Sequence, residues 1–395
     1  MVEGTCIAAF VAANYYDNSG TTKQLYWVGA PANHQTVMAE NLYRLKDNHF
    51  EQIGMAWIKH VSSAGTLPSE TCCAPESSAV LGIGCVDVYS TFLNGRQWKL
   101  GPRGMANAVT GQLPPLNNTC HTDPPVGQEN ICGRLQAATA DLDDVSATYF
   151  VELQATTPCE DLRNNNPSYR EIAVTRPTQP CTCGDANCTY TIVGAPGSTT
   201  VVGKPAIKAW KAADSTVVET EIYVQEDVSA NETNCESECQ VEDDSLLILA
   251  AKATDLGNGS WAYEYALHNL NSHRGVEAFR MCIASGTQIS NVGFHDVDYH
   301  SGEELQIDTS DWTWTVSGTS ILWEAPDATG KEKNALRGGR YTTSDSRRTR
   351  LPTRAYGPSD CVCIATALRA RRRRLPKIRS FPWARAAVKH MATAV

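Results

Sequence analysis

Leu246 to His268, LLILAAKATDLGNGSWAYEYALH, decides the fold class. An apolar run, Leu246 to Ala253, leads into Asp255-Leu256-Gly257-Asn258-Gly259. After it, Trp261, Tyr263, Tyr265 and Leu267 alternate with Ala262, Glu264, Ala266 and His268. Alternation at period two sends successive side chains to opposite faces of a strand, and glycines between two such runs make a tight turn. The stretch therefore reads as a β-hairpin with a half-buried second strand. Outward from it lie further short runs of strand character: Thr148 to Gln154, Tyr190 to Val193, Val217 to Val224, Ala278 to Ile283, Gln288 to Val292, Asp311 to Val316 and Ser320 to Trp323. Short strands separated by turn residues predict an all-β chain built as an antiparallel β-sandwich.

One helix interrupts this pattern on paper. Phe50, Ile53, Gly54, Trp57, Ile58 and Val61 fall on a 3.6-residue period, and Asn48 and Glu51 are spaced as a capping box. The spacing predicts a helix ending near Gly65, with Lys59 and His60 at its C-terminal end, where cations suit the dipole. The stretch LPPLNNTCHTDPPVG, Leu113 to Gly127, lacks periodicity and is rich in Pro and Asn, so residues 112–131 read as a connection. The expected organisation is an N-terminal β and helix part (1–111), that connection, a β-sandwich part (132–336) and a basic tail (337–395).

The formal net charge of -9 conceals two unlike segments. Arg337 to Val395 holds 15 Lys/Arg against Asp345 and Asp360, a net of +13, leaving 19 against 41, a net of -22, on Met1 to Leu336. The acidic body disfavours nucleic acid and anionic membranes as partners and suits cations. The tail carries five basic residues in six from Arg369 to Arg374, a block of a kind that is commonly disordered. Thirteen of the 15 cysteines lie in the body, in local sets such as Cys72-Cys73, Cys181-Thr182-Cys183 with Cys188, and Cys235 with Cys239. Such density implies disulfides and an oxidising, secreted or periplasmic setting, whereas the spacings do not match paired zinc knuckles. The opening MVEGTCIAAFVAAN has no Lys or Arg before its apolar run and makes a poor signal peptide. No apolar run approaches the roughly 20 residues of a transmembrane helix, so the chain reads as soluble.

No GxSxG, HExxH, Walker loop or GxGxxG spacing occurs, which removes the familiar hydrolase and nucleotide-binding readings. Chemistry concentrates instead in Phe294 to Trp312, FHDVDYHSGEELQIDTSDW, where two histidines and six carboxylates occupy nineteen residues. If extended, the chain there directs Asp296, Asp298 and His300 to one face and His295, Val297 and Tyr299 to the other. Asp296 and His300 would then lie about 13 Å apart, so a shared ion requires the bend that Ser301-Gly302 allows. The segment is not an EF-hand, because the sixth position counted from Asp296 is Ser301 and the twelfth is Ile307. A non-EF-hand Ca2+ site would use Asp296, Asp298 and Glu303 as ligands, with His295 or His300 as the base acting on metal-bound water. The same residues also suit an acidic inter-strand loop with Tyr299 packed, and His268 and His273 flank a nearby turn.

From about Asn41 to Arg337 the chain resembles a group of secreted proteins of undetermined role from planctomycete-type bacteria. The phrases that carry the resemblance include NLYRLKDNHFEQIGMAWIKH, LGIGCVDVYSTFLNGRQWKLGPRG, RLQAATADLDD, ATYFVE, NNNPSYRE, PAIKAW, YEYALHNLNSHR and NVGFHDVDYHSGE. The resemblance implies export, a β-rich body and local disulfides, and assigns no reaction. Two departures stand out: no export signal opens the chain, and GGRYTTSDSRRTRLPTR follows Asn334 to Arg337 where an aromatic strand is expected. A reading-frame slip at that point would put out-of-frame basic sequence in place of the last strand and leave a sheet edge exposed; the idea fails if no frame of the gene encodes such a strand.

Two functional classes follow. The first is a Ca2+-dependent hydrolase of small esters or lactones using HDVDYHSGEE. The second is a non-catalytic exported binding or surface-adhesion protein whose aromatic strands, with Trp261, Tyr263, Tyr265, Trp312 and Trp314, face a carbohydrate or protein.

Overall fold

The hairpin of Leu246 to His268 lies in the middle of three stacked antiparallel sheets. The computed structural model describes residues 6–18, 25–26, 36–60, 79–97, 100–109, 120, 129–157, 160, 162–178, 189–226, 244–257, 259–300 and 306–338, and the backbone of 340–350 and 362–366. With strands numbered in chain order, the first sheet runs β1 (Ile7–Phe10), β10 (Leu135–Ala138), β5 (His49–Met55), β4 (Val37–Lys46), β11 (Thr148–Thr156), β12 (Pro167–Thr175) and β13 (Thr191–Gly194). β6 (Ile58–His60) pairs with β4, and β9 (Leu100–Gly101) with β6. The middle sheet runs β14 (Val218–Gln225), β15 (Asp244–Gly257), β16 (Ser260–Asn269), β22 (Arg340–Arg350) and β18 (Gln288–Ile289), with β19 (Val292–His295) also on β22. The outer sheet is β20 (Thr313–Ser317), β21 (Ser320–Glu324), β17 (Val276–Cys282) and β23 (Val362–Thr366). Two small ribbons pair β2 (Asn14–Asp17) with β8 (Val86–Tyr89) and β3 (Leu25–Tyr26) with β7 (Val80–Leu81). All these pairings are antiparallel, and among the described residues the α-helices that accompany them are short: α1 (Thr91–Asn94), α2 (Thr139–Leu142) and α3 (Ile207–Ala213).

The apolar run on β15 follows from burial on both faces. Leu246, Ile248 and Ala250 pack with Tyr43, Phe50, Phe150 and Trp210 against the first sheet. Leu247, Leu249 and Ala251 pack with Phe279, Ile321 and Trp323 against the outer sheet. Burying each such Leu or Ile contributes roughly 1.5–3 kcal/mol, which favours a middle strand with no polar alternation. The turn that closes β15 onto β16 needs left-handed backbone: Gly257 has φ +79° and Gly259 +69°, and Asp255 Oδ1 accepts the Gly257 N–H at 2.8 Å.

The helix expected from Phe50 to Val61 is instead the strands β5 and β6. Leu42 pairs with Gly54 and Tyr43 with Gln52, so Ile53 is an extra, bulged residue. The bulge breaks the two-residue period, and the apolar positions then mimic a helical spacing without sharing one face. Phe50 enters the core between the first two sheets, Ile53 the opposite face of the first sheet, and Trp57 a cluster with Leu100, Cys120 and Cys132. Asn48 is no helix cap: with φ +65°, beside Asp47 at +50°, it forms the two-residue turn between Lys46 and His49. Val61 and Gly65 lie outside the described residues.

Strands from both sides of the connection at 112–131 share the first sheet, since β10 pairs β5 and β11 pairs β4. The connection is therefore no boundary between separate sheets, and a disulfide between Cys120, within it, and Cys132, with Cα atoms 5.4 Å apart, ties it to the core. The tail, expected to be disordered, contributes two strands. β22 fills the gap between β16 on one side and β18 and β19 on the other, and β23 extends the outer sheet beside β17. The edge that a misread tail was expected to expose is covered there; the remaining tail residues lie outside the described residues.

Candidate functional site

β19 ends at His295, and 296–300 continue without strand pairing, so the alternation of faces expected for this segment does not hold. His295 and His300, assigned to opposite faces, both turn onto β5. His295 Nε2 lies 2.7 Å from the Gln52 carbonyl and His300 Nε2 2.8 Å from the Met55 carbonyl. A carbonyl only accepts, so each ring carries its proton on Nε2 and donates it to the backbone. His300 is buried and stacks on Trp57, with ring centres 6.5 Å apart. Tyr299 packs with Val297, Met55 and Ile307.

Two of the three expected ligands, Asp296 and Asp298, fall among the described residues. Asp296 Oδ2 accepts from Asn334 Nδ2 at 3.0 Å, and Glu303 lies outside the described residues. Asp298 sits near Asp311, whose carboxyl is pushed up by burial and by Asp298, against the opposing pull of His295. Among the described residues no three His, Cys, Asp or Glu side chains are placed to hold a metal ion. His268 is fully buried on β16. His273 lines a cavity of about 60 Å³ with Arg103, Gln154 and Arg337, room for a few waters, whose wall includes neither His295 nor His300.

What β5 brings together is a chain of alternating charges that no sequence motif marks. His49 Nδ1 lies 2.7 Å from Glu264 Oε2 on β16 and its Nε2 3.3 Å from Glu51 Oε2. Glu51 Oε1 accepts from Arg44 Nε at 2.7 Å, Arg44 reaches Asp141 Oδ1 at 3.3 Å, and His295 Nε2 stands 3.8 Å from Glu51. Burial alone would lower the His49 imidazole, but the hydrogen bonds and charges of Glu264 and Glu51 lift it to about 9. Burial would likewise raise Glu51, yet His49, His295 and Arg44 hold its carboxyl at about 2. With carboxylates on both ring nitrogens, His49 is an imidazolium that ties the first sheet to the middle one. The sequence signal was present in KDNHFE, where a turn-forming pair delivers His49 and Glu51 to the same side of a strand.

A second constellation faces solvent between α3 and β14. Lys204, Lys208 and Lys211 recur at i, i+4 and i+7, while Ile207 and Trp210 are buried in the core beneath. Opposite them Glu219, Glu221 and Tyr223 alternate along one face of β14. The groove between has a volume of about 580 Å³, with Leu246, Ile248 and Leu270 also lining it. Lys208 Nζ reaches Glu219 Oε2 at 3.1 Å and Glu221 Oε1 at 3.3 Å, and Tyr223 is 59% exposed. By contrast, the aromatic face expected on β16 and β20 is largely core: Tyr265 and Trp312 are buried, Trp261 and Tyr263 half-buried, and Trp314 exposed.

Compared with protein-family models, curated proteins and solved structures, the chain matches none. Among the described residues no helix is long and apolar enough to cross a membrane. Besides Cys120 and Cys132, Cys6 and Cys85 are disulfide-bonded, while Cys72, Cys73 and the sets from Cys181 to Cys239 lie outside the described residues.

Proposed function

We propose that this chain is a non-catalytic, exported binding protein, and that the histidine-rich segment is a structural tie. The observation that supports this most directly is that His295 and His300 both donate Nε2–H to backbone carbonyls of β5, three residues apart. An imidazole held this way fixes the segment to the first sheet, a task that demands neither substrate nor metal. The disulfides fit an oxidising compartment and hence export, as does the resemblance to secreted planctomycete-type proteins. The rival reading, a Ca2+-dependent ester or lactone hydrolase, draws on the proximity of Asp298, Asp311 and His295.

Turnover of p-nitrophenyl acetate and of a γ-lactone, measured with EDTA and after Ca2+ add-back, separates the two. The binding reading expects no enzymatic rate in either state. It also expects His300→Ala to lose stability to the same extent with and without Ca2+. A rate that EDTA removes and Ca2+ restores, and that His295→Ala or His300→Ala abolishes, would overturn it.

A further inference from the structure

From the groove between α3 and β14 we infer a site for an acidic saccharide, one whose sugar ring lies against Tyr223 and whose carboxylate or sulfate meets Lys204 and Lys211. The inference deepens the binding reading above and rests on it. Size is the first argument: about 580 Å³ holds a small oligosaccharide and lies within the range of about 300–1,000 Å³ typical of ligand sites. Charge is the second. Three lysines face two glutamates, leaving the groove with one net positive charge on a body whose total is -22. Lys208 spends its charge on Glu219 and Glu221, whereas Lys204 and Lys211 have no ion-pair or hydrogen-bond partner among the described residues. Two ammonium groups lining one groove without a counter-ion favour an anion.

Chemistry of the walls supplies the third argument. A pyranose offers a flat apolar face and a rim of hydroxyls. Tyr223 presents an exposed ring with its hydroxyl 3.3 Å from Glu221, and the glutamates and lysines provide acceptors and donors for the rim. The lining is also rigid: α3 is anchored through buried Ile207 and Trp210, and β14 pairs along its length with β15. Rigid walls reduce the ordering cost of binding a small polar ligand.

The test is isothermal titration of the full chain with trigalacturonate, with maltotriose as a neutral trisaccharide and with inorganic sulfate. Trigalacturonate is expected to bind, more weakly as ionic strength rises, while maltotriose and sulfate give no saturable heat. Lys204→Ala with Lys211→Ala should weaken trigalacturonate by about tenfold or more, and Tyr223→Ala by about fivefold or more. These side chains lie on an open groove, so all variants should unfold at the wild-type midpoint. No binding of trigalacturonate overturns the proposal, as does binding that the lysine variants leave unchanged. Sulfate binding as tightly as trigalacturonate, with Tyr223→Ala silent, overturns it in favour of a simple anion site. A failed titration without ester turnover removes this ligand but keeps the non-catalytic reading; Ca2+-dependent turnover removes that reading whatever the titration gives.

Discussion

Replacing His49 by Gln tests the electrostatic tie between the first and middle sheets. The imidazole is lifted from its ordinary 6.5 to about 9, which at about 1.4 kcal/mol per pH unit corresponds to about 3 kcal/mol of preference for the charged form in the folded state. The sign follows from which state holds the proton. Below about pH 6.5 the ring is charged in both folded and unfolded chains, and the contribution is complete. Between 6.5 and 9 the unfolded chain releases its proton first, so stability falls, and above 9 nothing of it remains. Urea unfolding of wild type at pH 6 and pH 9.5 should therefore differ by about 3 kcal/mol more than it does for His49→Gln. At pH 6 the variant should also lose about 3 kcal/mol outright, because Glu51 and Glu264 each lose a buried cationic partner while Glu51 keeps Arg44. Equal pH dependence in the two proteins would refute the reasoning and return His49 to the role of a neutral surface-like residue.

The acid side carries the partner's signature: Glu51, held at about 2 against an ordinary 4.5, contributes fully above about pH 4.5 and loses that contribution as pH falls toward 2, a trend that Glu51→Gln should flatten in urea titrations. Glu152→Ala should cost about 3 kcal/mol or more, because the carboxylate accepts Asn41 Nδ2 and Tyr43 OH at 2.9 Å and the Ala206 N–H at 2.6 Å, all buried; an undiminished urea midpoint would contradict it. Gly54→Ala should destabilise by about 1–3 kcal/mol, since a Cβ there would stand 2.4 Å from the Gln136 carbonyl of β10 and force the first sheet apart, and the shift in unfolding midpoint measures it. β20 is an uncharged, fully exposed edge bearing Trp314 and Val316, so Trp314→Lys should reduce concentration-dependent light scattering without changing stability.

How much of the site was legible differs from residue to residue. The composition of FHDVDYHSGEELQIDTSDW marked His295 and His300 as unusual, and they are, but the property that decides their role is the backbone of Gln52 and Met55, more than two hundred residues away in the chain. No local pattern reports such a partner. The same holds for His49, whose meaning depends on Glu264 from a different sheet. Lys208 and Lys211 were readable as one face of a helix, with Lys204 just before it, and Glu219, Glu221 and Tyr223 as one face of a strand, yet only the turn from α3 into β14 sets the two opposite each other.

Sequence alone determined the strand class of this protein and the places of nine strands between β11 and β21, because period-two alternation, apolar runs and glycine turns are local consequences of backbone geometry. It misread β5 and β6 as a helix, since a bulge at Ile53 shifts side chains by one and counterfeits a helical period. Tertiary structure decided the rest: that β15 is buried on both sides, that β10 and β11 join β4 and β5 in one sheet, and that β22 lies beside β16. It also decided which charges meet. Coulombic and hydrogen-bond energies depend on distance through space, and the fold sets those distances without regard to separation along the chain.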